Sequence, residues 1–327
     1  MILGGDLGGT KTLLALAEPH ANGLRIVREQ RYASQDYASF DDLLSDFLTD
    51  SLADSPPIAA ACFGVAGPTD GRDAKLTYLP WQLSGTALAQ RFHLNSVTLL
   101  NDFAAAANGL TLVTPAQLQT LQAGNPIVDA PRVILGAGTG LGVAGMVSDG
   151  QRYRIIPGEG GHLGFAPQTP EQFELARWLQ AQSGRVTTED VVSGPGLAKI
   201  YAFLGGGPQQ PEVIGTSALR NTDPLAKHAV ELWLAAYGAF AGDLALHWLA
   251  RGGVYLAGGM AAKLLPHFGP AIFLDAFNAK REHQAIARQM PVHLVCEERL
   301  GLLGALALAA EGIERAPAPQ SITSRAG

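Results

Sequence analysis

Gly5-Asp6-Leu7-Gly8-Gly9-Thr10 lies between two apolar runs near the start of the chain, and Gly136-Ala137-Gly138-Thr139-Gly140-Leu141-Gly142 repeats the arrangement further along. Each segment is typical of a β-hairpin with a tight turn. Glycines reach positive φ and let another group approach the backbone closely. A turn lined by N–H donors is a cradle for phosphate. Two such turns predict a nucleotide clamped between two lobes.

The composition is that of a compact soluble protein with two lobes. The chain has 327 residues, of which 47% are hydrophobic and 16% charged. A net charge of −6 and the lack of a basic stripe argue against nucleic-acid binding. Only Cys62 and Cys296 are present, which excludes a disulfide framework and fits a reducing cytosol. No basic segment precedes the first strand, so we expect no signal peptide.

The longest apolar stretch, Ala229 to Ala250, contains Glu231, Asp243 and His247. These polar groups predict a buried core helix rather than a membrane span. We therefore expect a cytoplasmic protein with no membrane partner.

The first lobe, 1–110, is predicted to be a small α/β lobe. Apolar periodicity predicts strands at 2–7, 13–17, 25–32, 58–65 and 97–100, and helices at 39–51 and 103–110. The segment 111–131 contains several prolines and is interpreted as a connection between the lobes.

The second lobe, 111–299, is predicted to be larger and mainly helical after its glycine turn. We expect helices near 171–183, 197–204, 217–221 and 223–250, with Val254–Ala257 as the last buried strand. A helix at 300–315 completes the first lobe. The segment 316–327, without periodicity, is predicted to be a flexible tail.

Two aspartates are candidates for chemistry in the first lobe. Asp6 follows the first strand and is placed to hold the hydration shell of Mg²⁺, or alternatively to satisfy N–H groups of its own turn. Asn101 and Asp102 end another strand, where ligands of open α/β sheets bind. Asp102 is a candidate general base for an attacking hydroxyl, while an Asn-Asp pair is equally typical of a helix cap.

The second lobe offers three further acidic or basic groups. Pro157-Gly158-Glu159-Gly160-Gly161-His162 is interpreted as an irregular loop whose carboxylate and imidazole suit a polyol, or as a structural His beside a loop acid. Glu189 follows Thr187 and Thr188, a pattern that by itself favours the first turn of a helix.

Two other features allow both a functional and a structural interpretation. Gly258 and Gly259 join a strand to a helix, either facing an adenosine or making a tight crossover. Trp81 either walls a sugar pocket or packs in a core, and core packing is the favoured interpretation.

These motifs, in this order, resemble the bacterial glucokinase family of the hexokinase/actin-like ATPase superfamily. The similarity runs nearly end to end and includes Leu100-Asn101-Asp102-Phe103 and Ser193-Gly194-Pro195-Gly196 besides both glycine turns. Lys11 is more typical of the repressor/kinase (ROK) sugar kinases. Those proteins usually carry a cysteine-rich zinc motif, which the stretch between Cys62 and Cys296 lacks.

The resemblance implies two ribonuclease-H-like lobes with a cleft between them for ATP and glucose, Mg²⁺ as a cofactor, and a homodimer. Asp102 would be the general base, and Glu189 becomes a sugar ligand. Sugar-binding residues would be Asn101, Asp102, Glu159, His162 and Glu189. ATP-binding residues would be Gly5, Asp6, Leu7, Gly8, Gly9, Thr10, Gly138, Thr139, Gly140, Gly258 and Gly259. A kinase of another hexose and a non-catalytic sugar sensor are the alternatives.

Overall fold

The computed structural model describes residues 1–20, 23–49, 57–77 and 79–315. The chain forms two compact units: unit 1 comprises Met1–Leu112 and the chain from Arg299 onward, and unit 2 comprises Val113–Glu298. The tail predicted at 316–327 and the end of the helix predicted at 39–51 lie outside the described residues.

Strands and helices are interspersed along the chain, with runs of consecutive helices between β11 and β12 and between β12 and β13. The strands are β1 Ile2–Leu7, β2 Lys11–His20, β3 Gly23–Ala33, β4 Ala60–Val65, β5 Asp73–Lys75, β6 Gln82–Ser84, β7 Val97–Asn101, β8 Leu118–Gln122, β9 Arg132–Ala137, β10 Leu141–Ser148, β11 Tyr153–Gly158, β12 Gly253–Ala257 and β13 Val292–Val295. The helices are α1 Phe40–Thr49, α2 Gly85–Arg91, α3 Asp102–Gly109, α4 Pro170–Ser183, α5 Gly194–Phe203, α6 Pro211–Leu219, α7 Pro224–Trp248, α8 Gly259–Phe268, α9 Ala271–Asn278, α10 Gln284–Ala287 and α11 Leu300–Arg315.

Unit 1 is built on a five-stranded sheet of order β3-β2-β1-β4-β7. The hairpin partners β1 and β2 are antiparallel, whereas β4 runs parallel to both β1 and β7. All six residues of β4 are buried, as expected for a parallel strand covered on both faces. One face packs on α1 through Phe40, Leu43 and Phe47, and the other packs on α11.

Unit 2 repeats this strand arrangement and extends it by one strand. Its sheet has the order β11-β10-β9-β12-β13-β8. The pairs β11–β10 and β10–β9 are antiparallel, and β9, β12 and β13 are parallel, as in unit 1. β8 closes the far edge as an antiparallel strand. The fold class is therefore α/β, as predicted, with the same five-strand topology in both units.

The long helix α7 lies in the core of unit 2. It is the one helix in the described part of the chain that is long and apolar enough to cross a membrane. Val230, Trp233, Tyr237 and Ala241 are fully buried in the core of unit 2, together with residues of β9 and β12. The prediction of a buried core helix here is confirmed.

Five strands depart from the sequence-based expectation, among them β5 and β6, which form a separate two-stranded sheet. β8 lies within the segment interpreted as a connection, β11 follows the second hairpin where helices were expected, and β13 comes after the strand expected to be the last. β8 and β11 are edge strands, which keep polar residues and tolerate Pro157. β13 has only four residues, too few for a clear apolar pattern. The helices α2, α9 and α10 were also not predicted, and α6 begins at Pro211 rather than near 217, whereas α8 is the helix expected after Gly258 and Gly259.

Candidate active site

The first glycine turn connects β1 to β2 and is held from both sides. The Gly8 amide donates to the Lys11 carbonyl at 3.0 Å. The Ser34 hydroxyl, just after β3, donates to the Gly8 carbonyl at 2.8 Å and lies 3.0 Å from the Thr12 hydroxyl oxygen. Ser34 and Thr12 are fully buried. Ser34 is a supporting residue that the sequence analysis missed, because only the pairing of β2 with β3 brings it to the turn.

The second glycine turn, between β9 and β10, is fixed by contacts from two other segments. The Gly138 amide donates to the Gly140 carbonyl at 2.8 Å, and the Gly194 amide donates to the Gly138 carbonyl at 2.8 Å. The Leu141 amide donates to Oε2 of Glu189 at 2.7 Å. The turn is therefore tied to the start of α5 and to a side chain from the segment before it.

Two expectations about these turns are corrected. Gly8, Gly138 and Gly140 do not adopt left-handed φ values, so positive φ is not the reason for glycine here. The amides of Gly8 and Gly138 are used inside their own turns and are not available to a phosphate in this conformation. Within the described ranges, no protein acceptor is seen for the amides of Gly9 and Thr139, which remain the phosphate-binding candidates.

Gly5 and Leu7 lie in the interior of unit 1. Both are buried in β1, and a Cβ on Gly5 would come within 2.7 Å of the Leu14 and Phe63 side chains. They are core positions that shape the strand leading into the turn, and their assignment to the nucleotide stays a prediction.

Asp6 and Asp102 form an acidic pair in unit 1. Asp6 pairs across the sheet with Gly64 of β4, and a Cβ on Gly64 would lie 3.5 Å from the Asp102 Cα. Burial, and secondly the charge of Asp102, raise the pKa of Asp6 to about 6, while Lys11 acts in the opposite direction. The Asp6 carboxyl also lies against the backbone of Gly301 at the start of α11.

Asn101 and Asp102 join β7 to α3. Oδ1 of Asn101 accepts from the amides of Phe103 at 2.9 Å and Ala104 at 3.2 Å, so Asn101 is the helix cap. Oδ1 of Asp102 accepts from the Phe103 amide at 2.8 Å. The capping interpretation is confirmed for Asn101, and it coexists with a carboxylate at the end of a parallel strand.

Glu159 and His162 lie on a tight turn after β11. The His162 amide donates to the Glu159 carbonyl at 3.0 Å, and Gly160–His162 forms a single 3-10 turn. Both side chains are exposed. Pro157 and Gly158 belong to β11, so the segment is not an irregular loop throughout.

The segment 187–193 brings Glu189 to the same place. No helix begins at Thr187 or Thr188, so that interpretation is wrong: Asp190 closes a turn there, and α5 starts at Gly194 with Ser193 as its cap. The Glu189 amide donates to the Gly161 carbonyl at 3.0 Å, and its carboxylate accepts from Leu141. Glu189 therefore links the turn of Glu159 and His162 to the second glycine turn.

The Gly258–Gly259 junction lies beside the second glycine turn. Gly258 has φ +89°, and a Cβ there would lie 2.6 Å from the Ala137 carbonyl oxygen, so both conformation and space require glycine. Gly259 begins α8, and a Cβ there would meet open space. The tight crossover is confirmed. Gly258 packs against Ala137, the residue before Gly138, and this position beside the second glycine turn also suits a nucleotide.

Trp81 belongs to the core of unit 1. It is 2% exposed, packs against Phe40 and donates from Nε1 to the Tyr37 carbonyl at 3.3 Å. The core interpretation is confirmed.

The donor set fits a hydrated Mg²⁺ rather than a metal bound by several side chains. No group of three or more His, Cys, Asp or Glu residues suited to a metal occurs in the described part of the chain. Mg²⁺ usually keeps several waters and takes one or two carboxylates plus phosphate oxygens. Asp6, with Asp102 nearby, matches that requirement.

Comparison with known proteins identifies the family. The glucokinase family model matches residues 3–312. A glucokinase from Nostoc sp. (strain PCC 7120 / SAG 25.82 / UTEX 2576) is 37% identical over 339 residues, covering 95% of this chain and 99% of the relative. The crystal structure of a glucokinase from an Antarctic psychrotroph is 28% identical with a TM-score of 0.82, covering 95% of this chain and 98% of that one.

A more distant structure shares the fold. A ROK family glucokinase from Streptomyces griseus, solved in complex with glucose and AMPPNP, is 20% identical with a TM-score of 0.60, covering 95% and 99% of the two chains. The repeated strand topology and these neighbours define the protein as one with the actin-like ATPase fold. The chain belongs to the glucokinase family, which confirms the resemblance seen in its motifs.

Proposed function

We propose that the protein is a glucokinase that transfers the γ-phosphoryl group of ATP to the 6-hydroxyl of glucose. Family membership over 3–312 supports the activity. The main structural support for a sugar site is that Glu159, His162 and Glu189 lie on two connected turns. The hydrogen bond from the Glu189 amide to the Gly161 carbonyl joins these turns. A sugar offers several hydroxyls, and carboxylates and an imidazole are suitable partners for them.

Asp102 is the proposed general base. An aspartate that accepts the proton of the attacking hydroxyl is the usual device in phosphoryl transfer to an alcohol. Asn101 commits its Oδ1 to the cap of α3, which leaves its Nδ2 group to donate to a sugar oxygen. Both residues therefore bind sugar in this proposal, with Glu159, His162 and Glu189 holding the other hydroxyls.

The two glycine turns are proposed to bind the phosphates of ATP. Gly8, Gly9 and Thr10 form the first turn, Gly138, Thr139 and Gly140 the second, and Gly258 and Gly259 lie near the second through Ala137. The amides of Gly9 and Thr139 are the donors best suited to this task. The streptomycete relative, solved with AMPPNP, supports ATP as the phosphoryl donor.

Asp6 is the proposed anchor for Mg²⁺ through water. When bound, Mg²⁺ supplies positive charge that neutralises the phosphates during transfer. The acidic pair of Asp6 and Asp102 carries the charge that such a cation compensates.

A coupled assay of ADP and hexose 6-phosphate with MgATP and a panel of hexoses tests the proposal. We expect kcat/KM to be much higher for glucose than for mannose, fructose or amino sugars. A preference for another hexose would overturn the substrate assignment. ADP release that does not depend on any sugar would contradict the kinase assignment.

Asp102→Asn tests the catalytic assignment. We expect kcat to fall by about 10²–10⁴, because the attacking hydroxyl loses its proton acceptor. Asp42→Asn is the matched control, since Asp42 also lies in the first turn of a unit 1 helix. Full activity in a folded Asp102→Asn enzyme would show that another group is the base.

We further propose a cytoplasmic homodimer that acts at the start of glycolysis and binds neither nucleic acid nor membrane. Family membership and the buried position of α7 support this assignment. Light scattering coupled to size-exclusion chromatography should give twice the chain mass of 34.2 kDa. A single-chain mass across the working concentration range would contradict the dimer.

A further inference from the structure

The side chain of Asp190 closes the turn that presents Glu189. Oδ2 of Asp190 accepts from the Thr187 amide at 2.9 Å and from the Thr187 hydroxyl at 2.8 Å. The Asp190 amide donates back to the Thr187 carbonyl at 3.2 Å. These reciprocal bonds fold the backbone between the two residues into a compact turn, with Glu189 within it.

This turn also fixes the neighbouring turn of Glu159 and His162. The Thr188 amide and hydroxyl both donate to the Leu163 carbonyl, at 2.8 and 3.2 Å. The Glu189 amide donates to the Gly161 carbonyl. Thr188 is buried, so these bonds are shielded from water. A displacement of the Thr187–Asp190 turn therefore moves the sugar-binding turn with it.

Lys199 ties the turn to α5. Its Nζ lies 2.6 Å from Oδ1 of Asp190, and both side chains are partly exposed. Burial works against the charged form of Asp190, but bonds from Lys199 and Thr187 outweigh it and hold its pKa below the usual range. Lys199 lies in α5, which begins at Gly194, so the ion pair joins the turn to a rigid helix.

We propose that Asp190 and Lys199 are positioning residues for the sugar, holding Glu189 and the turn of His162 in the geometry that binds hydroxyl groups. This inference rests on the proposed function of that site. Neither residue touches the reacting atoms. They fix the backbone that bears the sugar-binding side chains. The contacts of these side chains with sugar hydroxyls depend on that backbone being held in place.

Asp190→Asn is the primary test because it keeps the shape of the side chain. The Asn oxygen can still accept from Thr187, but its NH₂ group then faces the Lys199 ammonium, and two donors cannot bond to each other. We expect the KM for glucose to rise about three- to tenfold, while kcat and the KM for ATP stay within about twofold. Lys199→Met should have a similar effect.

The chain offers a matched control for the loss of such a pair. Asp243 and Lys280, also in unit 2, lie 2.6 Å apart. Asp243→Asn removes the same kind of contact outside the Thr187–Asp190 turn and should leave the KM for glucose unchanged. The double variant of Asp190→Asn and Lys199→Met should be no worse than the worse single variant, because the two substitutions remove one shared interaction.

Hydrogen exchange measures the positioning without activity. In Asp190→Asn, but not in Asp243→Asn, the amides of Thr188, Glu189 and Leu141 should exchange faster. Unchanged exchange, or faster exchange with an unchanged KM for glucose, would overturn the positioning role. A wild-type enzyme that fails to phosphorylate glucose would refute the proposed function instead, and the exchange rates would still decide whether Asp190 holds the turn.

Discussion

Gly140 shows how a single missing side chain brings two parts of the candidate site together. A Cβ at this position would lie 2.7 Å from Oε2 of Glu189, the atom that accepts from the Leu141 amide. Gly138, two residues earlier in the turn, has open space where its Cβ would be. Gly140 must therefore be a glycine because the Glu189 carboxylate occupies the space of a Cβ, whereas the space around Gly138 would admit a Cβ.

Gly140→Ala should weaken sugar binding by displacing the Glu189 carboxylate, the flexible end of its side chain, while the fold is retained. We expect a rise of about tenfold in the KM for glucose, about 1.4 kcal/mol of binding free energy. Gly138→Ala adds the same methyl group to open space and should change this KM less. Steady-state kinetics of both variants makes the comparison, and equal effects would refute the role of the Glu189 contact.

His293 makes the stability of unit 2 depend on pH. Burial, and secondly the charge of Arg132, lower the pKa of His293 below 6.5. The ring stacks on Tyr255 at 5.3 Å, and its Nδ1 lies 3.1 Å from the Thr120 hydroxyl oxygen. The unfolded chain therefore takes up a proton at a higher pH than the folded one. Stability is lost as the pH falls below about 6.5 and continues to fall until the folded pKa is reached.

His293→Gln should flatten that pH dependence. Thermal unfolding between pH 7.5 and 5 should show a smaller decrease of Tm in the variant than in the wild type, because the titrating group is gone. His20, an exposed histidine of unit 1, provides the control substitution His20→Gln. Parallel curves for wild type and His293→Gln would show that this histidine does not contribute.

At the scale of elements, α11 completes a unit whose other helices and strands all lie before position 113. Its buried face is formed by Leu302, Ala305, Leu306 and Ala309, at the spacing of one helical stripe. Leu306 lies so close to β1 that a Cβ on Gly4 would come within 2.6 Å of it. The small residue on the strand and the large one on the helix fit together, which lets α11 approach the sheet closely.

Leu306→Ala should destabilise unit 1 by about 2–5 kcal/mol, the usual cost of truncating a fully buried leucine. Leu308 lies on the same helix and is only partly buried, so Leu308→Ala should cost less. Urea unfolding followed by fluorescence and circular dichroism measures both variants. Similar losses would mean that the packing of Leu306 on β1 is not a main source of stability.

At the scale of the whole molecule, both units use the same sequence of connections. A glycine turn joins β1 to β2 in unit 1 and β9 to β10 in unit 2. Two parallel strands then lie on the other side of β1 (β4 and β7) and of β9 (β12 and β13). A common topology explains why the two glycine turns resemble each other in sequence. It also provides each unit with its own set of strand ends for ligand binding.

Ligand binding should stabilise the folded molecule as a whole. D-glucose at about 100 times its Kd should add about 2.7 kcal/mol to the free energy of unfolding and raise Tm, because it binds only the folded state. L-glucose has the same composition but the opposite configuration and should leave Tm unchanged. Equal shifts with both sugars would point to a solvent effect and contradict a specific sugar site.

Much of the fold could be predicted from the sequence because its apolar patterns are strong. The buried strands β1, β4 and β12 and the helices α1, α4 and α7 have clear apolar runs or periodicity. The short or polar strands β8, β11 and β13 were missed, since their pairing with neighbours rather than their own residues makes them strands. The segment interpreted as a connection illustrates this: β8 is recognisable only beside β13.

The sequence by itself determined the α/β class, the two glycine turns and the family, since these depend on local patterns and on the order of motifs. Only the tertiary structure decided the neighbours of Asp6, the capping role of Asn101, the burial of Gly5 and Leu7, and the bond between Glu189 and Leu141. Each of these depends on segments distant in sequence or on the direction of a side chain. Local propensity favours a helix start at Thr187, whereas long-range bonds to Gly161 and Leu163 hold that segment as a turn.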